Sequence, residues 1–346
     1  MLDALDPDSD VEVWVPDDLA HPAEEMALCT LLRARGVRVR HLGLPIMRRA
    51  YQTPRGLLGL FGRFCRLVRE LRAARPRLVY CTTSAALLGA PAARLARVSR
   101  VVGHFQEVWS GAEAHILAGA ARACHLLVAN SEAVTNALPP DLRKRTVVVP
   151  NGTPEPDQVI PLAGRSGDLL FLMASRWTPT KGYRTLLDAW DRAGAPGQLT
   201  ILGGMPLSGD SVDVPELVSN LRHPERVHVE GEVTDIASYV EAADVVLVPS
   251  DKAEGFGLVA VEAFARARPV IGSAAGGLLG ILDSGMNGWL FPAGDAEALS
   301  GLLAGLTRDE VNRAGERART TYEERFTAQR FAQNWRHAVF GAPRET

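Results

Sequence analysis

The chain has 346 residues, about two ordinary domains' worth, since single hydrophobic cores rarely grow past roughly 250–300 residues. Its composition, 47% hydrophobic and 23% charged with four cysteines and no CxxC pair, excludes a disordered chain and a disulfide scaffold and predicts a reduced, cytoplasmic protein. A net charge of −2 argues against nucleic acid as a partner.

The N-terminus, MLDALDPDSDVEVW, is acidic and lacks the apolar core of a secretory signal. No apolar run approaches the ~18 residues that span a bilayer. Strands are predicted at 11–16 (VEVWVP), 37–42 (VRVRHL), 77–81 (RLVYC), 101–105 (VVGHF), 126–130 (LLVAN) and 146–150 (TVVVP), with helices at 23–35, 56–74 and 115–124. Residues 48–100 hold twelve arginines against one acid, Glu70, and the whole chain has only three lysines, Lys144, Lys181 and Lys252. The helix over 56–74 lines up Leu57, Leu60, Phe61, Phe64, Val68 and Leu71, with Arg63, Arg66, Arg69 and Arg72 elsewhere. Such a face can dock on anionic lipid as a peripheral membrane contact, or pack on a sheet with its arginines solvated.

Residues 151–168 (NGTPEPDQVIPLAGRSGD) have no periodicity and several Pro and Gly, which marks a linker. Beyond it, strands are predicted at 169–175, 198–204, 226–231, 244–250, 268–273 and 287–291, each separated by a helical stretch, and the last forty residues read as helix. Alternating strand and helix on both sides of one linker predicts an α/β protein of two Rossmann-like domains, 1–150 and 169–325, with a C-terminal helical segment 326–346. Ligands of such sheets bind at the carboxyl ends of the strands, so the two domains are expected to work across a cleft.

The second half carries the chemistry. In SRWTPTKG, Arg176 and Lys181 follow the first strand and can neutralise a diphosphate; the plain alternative is two surface cations. In PSDKAEGFGLVAVE, a strand runs into a loop with Gly255 and Gly257 and then a helix, whose amino end suits a phosphate. Glu262 lies within an apolar helical run, where a carboxylate is costly without hydrogen-bond donors; sugar hydroxyls would supply them, as they would for Glu254 just before the helix. The alternative there is a capping Glu plus a solvated one. Gly255 to Ala260 also spells GxGxxA, the dinucleotide fingerprint, but the next strand ends in Ile271-Gly272-Ser273 without the acid that fingerprint needs.

On these motifs, with Asn151-Gly152, LTILGG, VEGEVTDIASYVEAADVVLVPS and GGLLGILDSGMNGWLFP, the chain resembles the family 4 retaining glycosyltransferases of the GT-B fold, closely in the second half and loosely in the first. The resemblance implies a nucleoside-diphosphate sugar donor held by the second domain and an acceptor held by the first. That acceptor is unspecified: a lipid-linked or cell-surface glycan precursor, or a small molecule. Through the E-x7-E motif it implies that Glu254 holds hydroxyls of the transferred sugar and Glu262 the nucleotide ribose. Arg176 and Lys181 would take the diphosphate, amides near Gly255, Phe256 and Gly257 would assist, and Val233, in the loop Glu232-Val233-Thr234, would lie at the base. His104 matches the family histidine that faces the donor sugar, followed by Gln106, where many relatives have a second histidine, and Glu107; a lone histidine at a strand end is otherwise a plain hydrogen-bonded residue. The family chemistry implies retention at the anomeric carbon and no metal or other cofactor. Asp6-Pro7-Asp8 and Asp8-Ser9-Asp10 spell D-x-D, but in a leading loop with no strand before them.

In one respect the chain departs from the family. Relatives begin with an apolar strand and a glycine-rich loop, and here the first domain lacks both. The expectation is that Met1 is not the biological start and that roughly 30 further residues, one βα unit, complete the domain; stop codons just upstream would exclude this. The competing reading makes VEVWVP the first strand of a shortened domain. A different class of function also follows: a non-catalytic, glycosyltransferase-like subunit that binds a nucleotide sugar or supports a partner enzyme. The helical tail is expected to cross back to the first domain, and the protein to be cytoplasmic, free or at the inner face of the membrane.

Overall fold

The computed structural model describes residues 5, 9–18, 22–46, 53–109, 111, 113–206 and 209–341. They fall into two compact units, one of residues 1–130, 134–149 and 332–346, the other of residues 131–133 and 150–331.

The first unit contains β1 (Glu12–Pro16), α1 (Pro22–Ala34), β2 (Arg38–Leu42), α2 (Pro54–Ala74), β3 (Leu78–Cys81), α3 (Gly89–Leu95), β4 (Arg100–Phe105), α4 (Glu113–Ala121) and β5 (Leu126–Ala129), then the short helix α5 (Glu132–Asn136), of which only residues 134–136 belong to this unit, the helix α6 (Pro140–Arg143) and the strand β6 (Thr146–Val148). Every strand pair is parallel, as short apolar runs alternating with helices dictate. The strands form two separate sheets, β1-β2 and β3-β4-β5-β6. β4 and β5 are buried almost throughout, whereas β3 is only half-buried over Leu78, Val79 and Tyr80, as an edge strand is.

α2 starts where the sequence favours it: the Thr53 hydroxyl accepts from the Gly56 N–H at 3.1 Å, and Pro54 occupies the first turn. Its apolar stripe is not buried along its length. Leu67, Val68 and Leu71 join the core with α3, β3, β4 and α4, but Leu57, Leu58 and Phe61 are 59%, 74% and 64% exposed. The packed-face reading of 56–74 therefore holds only for its second half. Arg63 reaches past the stripe to Asp17, 2.9 Å away, just beyond β1.

The second unit contains β7 (Leu169–Ala174), α7 (Tyr183–Arg192), β8 (Gly197–Leu202), α8 (Val214–Ser219), β9 (Val227–Gly231), α9 (Ile236–Ala242), β10 (Val245–Val248), α10 (Leu258–Ala265), β11 (Val270–Ser273), β12 (Gly288–Phe291), α11 (Ala296–Gly305) and α12 (Arg308–Arg325). Its six strands form one parallel sheet in the order β9-β8-β7-β10-β11-β12, with its first strand, β7, inside the sheet. This is the doubly wound 3-2-1-4-5-6 order. Apolar clusters cover both faces, one including Phe171, Trp190 and Ile201, the other Val246, Phe264 and Tyr322. Among the described residues the first unit has no such single sheet, its strands being divided between β1-β2 and β3-β4-β5-β6.

Two boundaries differ from the sequence reading. Residues 151–168 carry no helix or strand longer than a single bridge, yet they are fastened to the second unit. Thr153 pairs with Thr327 and accepts from the Tyr322 hydroxyl at 3.0 Å, Leu162 is buried, and Arg165 pairs with Asp244 at 3.0 Å. The C-terminal helix is broken at Phe326-Thr327, where this bridge forms, and resumes as α13 (Ala328–Phe340), whose residues from Ala332 onward belong to the first unit.

Candidate functional site

In a parallel sheet all the strands end on one edge, and the strand order reverses direction between β7 and β10, the switch point at which such sheets bind ligands. The predicted residues of the second unit converge there. The loop after β7 makes one 3-10 turn over Pro179–Lys181 and enters α7 through Gly182, which has φ +77°. A Cβ on Gly182 would lie 1.8 Å from the Pro249 carbonyl oxygen in the loop after β10. Only glycine permits that conformation and that approach together. The Asp251 N–H donates to the Thr180 carbonyl at 3.0 Å, and Thr185 Oγ1 donates to Asp251 Oδ1 at 2.7 Å, so the two loops are bolted to each other.

Across this seam Lys181 Nζ donates to Glu254 Oε1 at 2.7 Å, with side chains 24% and 19% exposed. The same Glu254 oxygen accepts from the Ser250 hydroxyl, four residues back. Glu254 is held from below as well, because its carbonyl accepts from the Gly277 N–H at 2.8 Å. A Cβ on Gly276, which has φ +64°, would come within 2.2 Å of that carbonyl oxygen. The Gly276-Gly277 pair after β11 therefore lets a third loop close under the Glu254 loop. Sequence reasoning assigned no role to Gly182, Ser250 or this pair; the dipeptides Lys-Gly and Gly-Gly after predicted strands were the available signal.

Gly255 and Phe256 lead to Gly257, which caps α10 in the left-handed region at φ 105°. Phe256 is buried against the core, so the chain turns upward at Gly257 and the N–H groups of Leu258 and Val259 lie in the first turn, without a helical carbonyl to accept them. Glu262 stands one turn into α10, between buried Val261 and Ala263. It is half-buried, and burial holds its carboxyl above the usual carboxylate range against the opposing pull of Arg266. Among the described residues no side chain donates to its carboxylate. A half-buried carboxylate of this kind is able to accept from donors outside the protein.

Arg176, just past β7, is exposed at the same edge, and no acid pairs with it among the described residues. Val233 follows β9 and packs, half-buried, on the cluster that includes Leu202, Val248 and Phe256. One edge thus brings together Lys181, Glu254, Gly255, Phe256, Gly257, Glu262, Arg176 and Val233. Two cations, free helical N–H groups and two carboxylates suit a ligand with a diphosphate between two polyhydroxyl groups.

His104, the predicted residue of the first unit, lies near the end of β4 and is 1% exposed. Its Nδ1 is 2.9 Å from the Tyr80 hydroxyl on neighbouring β3, and that hydroxyl accepts from Trp335 Nε1 of α13 at 2.7 Å. His104 Nε2 is buried with no protein partner. Burial pushes the imidazole pKa down to about 4, so the ring is neutral at physiological pH. Beyond it, Gln106 donates to the Thr82 carbonyl at 3.3 Å, and Glu107 accepts from the Ser84 hydroxyl at 2.7 Å, which ties this loop to β3.

Among the described residues no group of three or more His, Cys, Asp or Glu side chains is arranged to hold a metal ion, and no helix is long and apolar enough to cross a membrane. Of the D-x-D candidates, Asp6, Pro7 and Asp8 lie outside the described residues, and Asp10 forms an ion pair with Arg38 at 2.6 Å.

Comparison with known proteins agrees with this geometry. Residues 158–324 match the family model "Glycosyl transferases group 1" and residues 6–155 match "Glycosyltransferase Family 4", so the two together take in nearly the whole chain. A D-inositol 3-phosphate glycosyltransferase of Xylanimonas cellulosilytica is 36% identical over 167 residues, 47% of this chain and 38% of that protein. A phosphatidyl-myo-inositol mannosyltransferase of Mycobacterium leprae is 34% identical over 164 residues, 44% of this chain and 41% of that one. The matched stretch thus spans about two fifths of these relatives' length. Among solved structures, Anabaena Alr3699/HepE in complex with UDP superposes with a TM-score of 0.78 at 22% identity, over 96% of this chain and 100% of that one. A glycosyltransferase from Rickettsia africae gives 0.72 at 16% identity, over 96% and 99%. With both halves matched by glycosyltransferase models and both folded as parallel α/β units of the GT-B type, the chain belongs to the family 4 glycosyltransferases.

Proposed function

We propose that this protein transfers a sugar from a nucleoside-diphosphate sugar to an acceptor hydroxyl, with retention at the anomeric carbon and without a metal ion. The observation that carries the reading is the Lys181–Glu254 pair at the β7/β10 switch point, with Glu262 one helical turn beyond. Lys181 and Arg176 take the diphosphate, assisted by the N–H groups around Phe256 and Gly257. Glu254 accepts from hydroxyls of the transferred sugar and Glu262 from those of the ribose. The loop at Val233 receives the base, and His104 serves the sugar.

In the reaction the bond from the anomeric carbon to the diphosphate oxygen breaks as a bond to the acceptor oxygen forms on the same face. The acceptor proton leaves on the departing phosphate oxygen. The protein supplies position and charge rather than a strong base. In this reading Arg176 and Lys181 supply the positive charge that a metal ion would otherwise bring to the diphosphate.

A calorimetric screen against UDP-, GDP-, ADP- and dTDP-sugars tests the donor; UDP-glucose comes first, because one solved structure of Anabaena Alr3699/HepE is its complex with UDP-glucose. A donor at 100 times its Kd raises apparent stability by about 2.7 kcal/mol. No stabilisation by any of the four classes would refute the reading. Transfer that persists in chelator supports metal independence, and transfer abolished by chelator and restored by Mg2+ or Mn2+ refutes it.

For α2, the exposure of Leu57, Leu58 and Phe61 beside exposed Arg55 and Arg66 favours a contact with anionic lipid at the inner face of the membrane, and with it a lipid-linked acceptor. One observation favours a second reading, a non-catalytic subunit: among the described residues the first unit's strands form two separate sheets, β1-β2 and β3-β4-β5-β6, rather than one. Sugar-nucleotide binding with neither hydrolysis nor transfer across a broad acceptor panel would favour that reading.

A further inference from the structure

The first unit carries a concentration of positive charge that the donor chemistry does not use. Arg77 stands just before β3 and Ser99 just before β4, so both mark the amino edge of the four-stranded sheet, opposite the carboxyl edge at which such sheets bind substrates. At that edge Arg72, Arg75, Arg77 and Arg97 line one surface cavity of about 690 Å³, together with Ser99, and no acidic residue lines it. Arg72 donates to the Leu95 carbonyl at 3.2 Å and so caps the end of α3. Arg75, Arg77 and Arg97 are exposed, and among the described residues their guanidiniums have neither an ion pair nor a hydrogen-bond acceptor.

Two of these arginines hold the backbone in the left-handed region, Arg75 at φ +49° after α2 and Arg97 at φ +63° after α3. Such a helix end ordinarily falls to glycine, because a Cβ there crowds the following carbonyl. Among the described residues the other non-glycine cases are Ala195 and Ala267, both in the second unit. Two strained positions that share a residue type and a cavity point to a use for that side chain.

Complementing the helix ends does not account for the charge. The carboxyl ends of α2 and α3 each carry roughly half a negative charge, about one in all, against four guanidiniums. About three positive charges are left unbalanced. The field extends beyond the cavity: desolvation and then the guanidiniums of Arg94, Arg100 and Arg145 hold the His125 pKa below its ordinary value, so that imidazole stays neutral beside them. Guanidinium forks match phosphoryl oxygens in geometry, and a ligand with two phosphoryl groups matches the surplus in charge. The volume lies within the roughly 300–1,000 Å³ typical of small-ligand sites.

We infer that this cavity is a second anion site, on the first unit, for a ligand bearing two phosphoryl groups, either free in solution or as a lipid headgroup. Arg75, Arg77 and Arg97 bind the phosphoryl oxygens, and Arg72 holds the end of α3 in place beside them. The inference does not depend on the donor assignment, which concerns Arg176 and Lys181 of the second unit.

The test titrates the full chain with inorganic pyrophosphate at low ionic strength, beside orthophosphate, which should bind more weakly. Arg75→Gly with Arg97→Gly removes two guanidiniums where the backbone favours glycine, so the double variant should melt no lower than wild type. It should bind pyrophosphate at least about tenfold more weakly and bind the sugar nucleotide found in the donor screen as wild type does. Should it melt lower, Arg77→Gln, a change confined to an exposed side chain, decides instead and should also weaken pyrophosphate. Lys181→Ala should keep pyrophosphate binding. Pyrophosphate affinity within twofold of wild type in both arginine variants, or lost in Lys181→Ala instead, would overturn the inference. Co-sedimentation with phosphatidylcholine vesicles names the source. Stronger sedimentation with phosphatidylinositol bisphosphate than with phosphatidylglycerol at equal charge, lost in the double variant, identifies a lipid headgroup; its absence, with pyrophosphate still bound, identifies a free ligand.

Discussion

Glu262→Gln separates the cost of an acceptor from its use. In the ligand-free protein the Glu262 carboxylate is half-buried on an apolar helix and receives no side-chain hydrogen bond among the described residues, and burial raises its pKa above the unfolded value. For a carboxyl raised on folding the native state binds the extra proton, so stability is full below the unfolded pKa near 4.3 and declines as pH rises through the folded pKa. At pH 7.5 the wild type carries the whole penalty and the amide carries none. Glu262→Gln should therefore be more stable than wild type at pH 7.5 and indistinguishable from it near pH 4. A partly screened charge of this kind acts on the scale of about 1 kcal/mol, and each kcal/mol moves Tm by about 2–4 °C in a unit of 150–250 residues. Ligand binding should move the opposite way. A hydrogen bond to a charged acceptor contributes about 1.5–3 kcal/mol, so its loss weakens nucleoside-diphosphate binding about 10- to 150-fold. Scanning calorimetry at the two pH values and isothermal titration at pH 7.5 read both effects on one sample. A variant that melts lower at pH 7.5, or that binds the nucleotide within twofold of wild type, would refute the assignment.

Gly182→Ala places a Cβ 1.8 Å from the Pro249 oxygen at a left-handed backbone position, so it should cost at least about 2–3 kcal/mol and abolish donor binding by separating the two loops, as melting and titration will show. Lys181→Ala should weaken a free nucleoside diphosphate about tenfold. Glu254→Ala should leave that ligand unchanged or tighter, since it frees Lys181 from its 2.7 Å partner, yet weaken the sugar conjugate; weaker binding of the free diphosphate by Glu254→Ala would contradict the division of roles. Replacing Leu57, Leu58 and Phe61 together by serine should release the protein from vesicles rich in anionic phospholipid without lowering Tm, because all three are largely exposed; unchanged co-sedimentation would refute the membrane contact.

Much of the fold was legible because its signals are local. Each of the twelve predicted apolar runs overlaps a strand among the described residues, and their alternation with helices implies parallel pairing. The signals failed where the deciding contact is distant. Periodicity shows which residues of 56–74 share a face, but not that the neighbouring elements bury Leu67, Val68 and Leu71, half-bury Phe64 and leave Leu57 and Phe61 exposed. Composition marks 151–168 as irregular, but not that Thr153 is pinned by Thr327 and Tyr322, whose partnership also breaks the C-terminal helix. The five-residue α5 and four-residue α6 are too short to show a period at all.

The site divides along the same line. That Arg176, Lys181, Glu254 and Glu262 reach one edge follows from the strand-then-loop pattern before each of them, because parallel strands all end together. That Lys181 and Glu254 touch, 73 residues apart, follows only from the strand order, which sets β7 beside β10 at the reversal. That pairing changes what the motif means. Lys181 and Glu254, which the proposed function assigns to the diphosphate and the sugar, satisfy each other, with Ser250 as a third partner, so neither is left as an unpaired, partly buried charge. A ligand must then offer both an anion for Lys181 and hydroxyl donors for Glu254 to break the pair without loss. A nucleoside diphosphate alone offers one, and a sugar nucleotide offers both. Under the proposed function this pairing predicts tighter binding of the intact conjugate than of the free diphosphate, and it is made by two loops that no local reading of the sequence brings into contact.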